Sequence, residues 1–156
     1  INEGIIVHDR AVEGEPDEVT QVFLTDGDDE VESLHPFCLL VAGLMYAAGA
    51  DGELGETEER YIRNITAGRD ELLEAGTALY QQTSFEDYLE YCKLLDGNSR
   101  LCILAQMTDL TMGDGILHSS EQELLKQFAA ALNISDVNFR AVHDVMLIKN
   151  RLSLFF

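Results

Sequence analysis

The sequence predicts an all-α fold, a helical bundle of about seven helices, on three observations. From Ser33 onward the apolar residues recur at helical spacing. The breaks between these stretches are short and carry the Gly, Asp, Asn and Ser residues that stop one helix and start the next. With 46% apolar residues in 156, the chain can close a core without disulfides or a structural metal to staple it.

Residues 1–32 form a separate acidic N-terminal arm, with eleven acids against Arg10 alone, a local charge of −10. Within it Ile5-Ile6-Val7 and Val19 to Leu24 are short β-branched runs around Gly14-Glu15-Pro16-Asp17, the pattern of a short hairpin or an extended arm. The acidic run Asp26 to Glu32 lacks the sixth-position glycine and the twelfth-position Glu of an EF-hand loop and reads as a solvated linker.

The helical domain is expected over 33–156. Pro36 suits a helix first turn, the apolar run to Ala48 makes that helix a core element, and Gly49 and Gly52 offer left-handed conformations at its end. Glu56 to Ala67 places Tyr61, Ile62 and Ile65 on one face; Asp70 to Tyr80 does the same with Leu72, Leu73, Ala75, Leu79 and Tyr80. Ser84 with Asp87 caps a helix that Asp96-Gly97-Asn98 closes. Ser99 to Met112, Glu121 to Leu132 and Asp136 to Leu152 complete the seven, and the apolar tail Leu152, Leu154, Phe155 and Phe156 calls for burial in the bundle or in a partner.

Charge and cysteine content restrict the function. With 29 acids against 10 Lys+Arg the net charge is −19, a field that repels phosphate backbones and anionic lipid and gathers cations; nucleic acid is excluded as a partner. The longest apolar stretch, Phe37 to Ala48, falls well short of the ~20 residues that span a bilayer, so no membrane insertion is expected. Cys38, Cys92 and Cys102 are odd in number and lack CxxC spacing, which fits a reducing cytoplasm and not a disulfide framework or a thiolate zinc site. No GxSxG, P-loop, GxGxxG or HExxH motif is present.

An internal repeat carries the functional signal. An offset of 63 residues lays Leu39–Ile65 on Cys102–Phe128, with Ala42/Ala105, Asp51/Asp114, Gly52/Gly115, Leu54/Leu117 and Glu58/Glu121 identical. Each unit is helix, Asp-Gly turn, helix, with the shared signature Asp-Gly-x-Leu-x-x-x-Glu, and the two copies predict a pseudo-symmetric pair. With Ala47-Ala48-Gly49-Ala50-Asp51-Gly52 and Met112-Gly113-Asp114-Gly115, followed by Glu58 and Glu121, the stretch from Ser33 to Leu152 resembles the tellurite-resistance TerB-like family. The resemblance implies an all-helical stress-response domain with acidic residues clustered for divalent metal and no established catalytic activity. Gly55 and His118 stand where that family often has a capping Ser or Asp.

The candidate metal ligands are Asp51, Glu58, Asp114 and Glu121, two turn-borne Asp and two helix-borne Glu. Asp109 joins them because a carboxylate on an otherwise apolar helix is costly unless paired or coordinated; its counterpart in the first copy is Tyr46. Oxygen donors favour Ca²⁺, Mg²⁺ or Mn²⁺, and recruitment of His118 would tilt the site to Zn²⁺. The competing explanation is capping: a Glu at the third helical position bonds the N-cap amide and complements the helix dipole, and Asp-Gly is a common turn. That explanation gives a metal-independent protein-interaction module for a protein partner. A third reading, a metal-assisted hydrolase, requires an open coordination position and a placed base that the sequence does not demand. His8, His35 and His143 lack metal-ligand spacing.

Overall fold

The computed structural model describes residues 22–24, 32–52, 54–113 and 117–156. Among them the architecture is helical, with seven α-helices, a closing 3₁₀ turn and one two-stranded ladder. In the ladder β1 (Val22–Leu24) runs antiparallel to β2 (Glu32–Leu34), pairing Val22 with Leu34 and Leu24 with Glu32. β2 thus straddles the boundary expected after residue 32. The run Ile5-Ile6-Val7 and the turn at Gly14 lie outside the described residues.

The helices are α1 (Pro36–Ala48), α2 (Glu56–Ile65), α3 (Asp70–Gln82), α4 (Phe85–Cys92), α5 (Gly97–Thr111), α6 (Ser119–Ala131) and α7 (Asp136–Asn150), followed by a 3₁₀ turn over Leu152–Phe155. α1 is the central helix, packed against α3, α4, α5 and α6. It starts with Pro36 at its first position, where a missing N–H costs nothing, and the Nδ1 of N-cap His35 accepts the Phe37 amide at 3.1 Å. Around it Leu39, Leu44, Tyr88, Leu104, Met107 and Phe128 are fully buried. The Tyr88 hydroxyl, which full burial would otherwise leave unsatisfied, donates to the Leu39 carbonyl at 2.9 Å. Tyr46 packs against Tyr80, Phe85 and Tyr88 with ring centroids 4.8 to 5.2 Å apart, tying α1 to α3 and α4. α3 reaches α1 closely because it presents Gly76: a Cβ there would sit 2.6 Å from Val41 Cγ1 and 3.0 Å from the Cys38 carbonyl.

Three local expectations are corrected, and a fourth, burial of the apolar tail in the bundle or in a partner, is narrowed. Gly49 caps α1 at φ −87°, in ordinary right-handed space, and the left-handed residue of that turn is Gly52 at φ 97°. Asp96 does not close α4 but opens α5, accepting the Ser99 amide at 2.9 Å with Gly97 already helical. Ala75, expected on the apolar face of α3, is exposed. The apolar tail is not covered by the bundle: Leu152, Leu154 and Phe155 are 63% to 82% exposed.

α7 is attached differently from the other helices. None of its residues is fully buried. Phe139 and Val142 lean on the core from one side. Its C-terminal end is held by Lys149 and Asn150, which reach the one buried Asp of α5. Arg100, at the start of α5, bridges two helix ends by donating to the carbonyls of Leu132 (3.3 Å) and Lys93.

Candidate functional site

The two motif glutamates stand at equivalent places on their helices. α2 and α6 begin at Glu56 and Ser119, with N-caps Gly55 and His118, so that Glu58 and Glu121 are both the third helical residue. At that position a carboxylate faces the unpaired amides and the positive end of the helix dipole. Glu121, 5% exposed, accepts the His118 amide on Oε2 at 2.8 Å. His118 therefore takes the N-cap of a capping box, at a position where the resembled family often has a capping Ser or Asp.

Glu58 behaves differently. α2 has no side-chain cap bond, and the half-buried Glu58 folds back over Gly55, so that a Cβ on Gly55 would sit 3.3 Å from Glu58 Cδ. A residue with no side chain at the N-cap leaves the space this carboxylate occupies. Glu56 and Glu59 flank it in the same first turn and are bridged outward by Arg60 at 3.0 Å and Arg63 at 2.6 Å. Asp51 is exposed in the turn closed by Gly52.

The end of α5 approaches the start of α2. Gly113, which immediately precedes Asp114, lies so that a Cβ on it would meet Thr57 Cγ2 at 3.6 Å. Thr57 adjoins Glu58 in the first turn of α2. One turn further along α2 the Tyr61 hydroxyl donates to Gln106 Oε1 at 2.7 Å and to Asp109 Oδ2 at 3.0 Å, which fixes α2 along the C-terminal half of α5. Asp114 itself lies outside the described residues. Among the described residues no three His, Cys, Asp or Glu side chains form a group placed to hold a metal ion, so Asp51, Glu58, Asp109 and Glu121 do not converge with one another as a set.

Asp109 has its own ion pair. Lys149 Nζ lies 2.7 and 2.6 Å from its two oxygens, and Asn150 Nδ2 donates to Oδ1 at 2.8 Å. Burial by itself pushes the carboxyl up, but the hydrogen bonds from Lys149, Asn150 and Tyr61, with the ammonium charge, outweigh it and hold Asp109 below the ordinary Asp value. Burial and the same carboxylate raise the Tyr61 phenol, which stays a donor. The costly carboxylate singled out in the sequence thus has a protein cation as its partner, and Lys149, Asn150 and Tyr61 were missed as its neighbours. Only the burial of Asp109 was signalled; nothing local links it to a lysine 40 residues away.

Cys38 and Cys92 are buried free thiols, with Cys92 pushed up to about 12 chiefly by burial, while Cys102 is exposed. His143 lies 3.3 Å from the carboxylate of Asp144. Among the described residues no helix is long and apolar enough to cross a membrane.

No curated protein and no solved structure matches the chain significantly. A family model described as tellurite resistance protein TerB matches residues 40–144, from within α1 to within α7 and across both Asp-Gly turns. Two motif glutamates at the third position of their helices and an all-helical bundle around α1 agree with that match, and the chain belongs to the TerB tellurite-resistance family.

Proposed function

We propose that this protein is a non-enzymatic, cytoplasmic stress-response domain that binds a divalent cation through the carboxylates of its two Asp-Gly motifs and presents a metal-dependent surface to a protein partner. The observation that supports this reading is the approach of Gly113, the residue before Asp114 in sequence, to Thr57, the residue before Glu58. The donors are oxygens, which suit Ca²⁺, Mg²⁺ or Mn²⁺; His118, exposed at the N-cap of α6, is the nitrogen donor that would favour Zn²⁺. The amide bond to Glu121 is compatible with coordination, because a carboxylate offers about four lone-pair sites. Within this reading the ligand candidates are the motif acids Asp51, Glu58, Asp114 and Glu121, of which Asp51, Glu58 and Glu121 do not form one group, so that Asp114 with one or two of them would hold the ion, while Asp109 is engaged by Lys149.

A second reading, a metal-independent interaction module, is favoured by Glu121 and Asp109, whose carboxylates take protein donors without an ion. Calorimetric titration of chelator-stripped protein with each ion separates the two. Metal binding predicts a saturable isotherm for the wild type that Asp114→Asn with Glu121→Gln abolishes and Asp109→Asn leaves in place. Affinity unchanged in the first variant rules out these ligands and leaves the interaction module.

A further inference from the structure

We propose that α7 is a self-association surface, through which two copies of this chain pair antiparallel with the outward faces of their α7 helices in contact. α7 is the one described α-helix without a fully buried residue, yet its apolar arc is wider than the face it packs on the core. Phe139 and Val142 face the core. Continuing round the helix from Val142, Val145, Ile148 and Val137 are 58%, 69% and 74% exposed. At about 100° per residue, Val137, Ala141, Val145 and Ile148 fall within an arc of about 80°. A helix whose apolar arc extends this far beyond the face packed on the core is ordinarily covered over the rest of that arc too.

Charge selects a second copy as the occupant. Residues 136–151 hold Arg140, Lys149 and Arg151 against Asp136 and Asp144, a net +1, while the rest of the chain carries −20. Two such molecules repel over most of their surfaces, whereas α7 exposes charges of both signs, Arg140 and Asp144, that can face their opposites on a second copy. The helix is also self-complementary when reversed. A two-fold axis near residues 142 and 143 sets Val137 against Ile148 of the second copy, and it sets Arg140 beside Asp144 of the second copy on the same flank. Arg140 and Asp144 are both exposed, so the two reciprocal ion pairs form without moving any residue that holds α7 to the bundle. An isologous contact of this kind closes on itself and gives a dimer.

Sedimentation velocity over a range of protein concentrations at moderate salt tests the pairing, with circular dichroism confirming that each variant is folded. The wild type should pass from monomer to dimer. Val137→Gln with Ile148→Gln should weaken association at least about tenfold, and so should Arg140→Asp or Asp144→Arg alone, while Arg140→Asp combined with Asp144→Arg should restore it to within a few-fold of wild type. A wild type that stays monomeric at all concentrations overturns the proposal, as does a dimer indifferent to Val137 and Ile148. Failure of the charge swap to restore pairing, or a monomer that takes a different protein on this face, overturns it equally.

Discussion

Asp109 shows most clearly how this chain uses a buried charge. Its folded pKa lies below the unfolded value of about 3.9, so the stabilisation it supplies is fully present above that pH and is lost as pH falls through the folded pKa. Asp109→Asn should therefore lower stability at neutral pH and flatten the part of the stability profile below about pH 4, measured by urea unfolding across pH. Lys149→Met should cost about 1–2 kcal/mol at pH 7, since it leaves a carboxylate in a 9% exposed residue with only Tyr61 and Asn150 as donors, while the lysine itself is largely solvated. The thiols give a second check at this scale: native alkylation followed by mass spectrometry should modify Cys102 and spare Cys38 and Cys92, which are buried and whose pKa values burial raises. The sequence made Asp109 conspicuous because a carboxylate among apolar residues demands a partner. It did not reveal Lys149, because the pairing is made by the packing of α7 on α5 and no periodicity encodes it.

At the scale of elements, helix starts were legible where a side chain makes the cap. Ser84 accepts the Asp87 amide as its spacing implied, and Pro36 begins α1. Misreadings fell where one residue type serves two purposes: Asp96-Gly97-Asn98 has the composition of a stop but works as a start, because Asp96 caps α5. His118 stands where the resembled family often has a capping Ser or Asp, yet the backbone of α6 begins at it and Glu121 supplies the reciprocal bond. Glu121→Gln should cost about 1 kcal/mol in metal-free protein by thermal unfolding, and this cost is independent of any ion. Gly76 was not noticed in the sequence at all, since a glycine inside a helix pattern has no periodic signature. Gly76→Ala should lower stability by about 1–3 kcal/mol despite its better helix propensity, because the methyl enters Val41 and the Cys38 carbonyl; a gain in stability would mean α1 and α3 separate easily.

For the whole molecule, the helical class and the order of seven helices followed from periodicity and punctuation, and the family match spans both motif turns. The convergence of the motif acids expected from the repeat is a different matter: among the described residues no three of them group together, because sequence periodicity does not say how α2 and the end of α5 meet. The approach of Gly113 to Thr57 is a contact between residues 56 positions apart in the chain. The net charge of −19 also acts globally: self-repulsion weakens the folded state, so added monovalent salt should raise the melting temperature by screening alone. The most direct test of the central claim is therefore thermal melting of chelator-stripped protein with Ca²⁺, Mg²⁺, Mn²⁺ or Zn²⁺ added singly, at fixed moderate ionic strength and against a monovalent-salt control. Metal binding by the Asp-Gly motifs predicts a saturable rise for one of these ions at micromolar concentration, lost in Glu58→Gln with Asp114→Asn and retained in Asp109→Asn. Melting temperatures that respond only to ionic strength, equally for every ion and variant, would contradict it and leave a capped helical interaction domain.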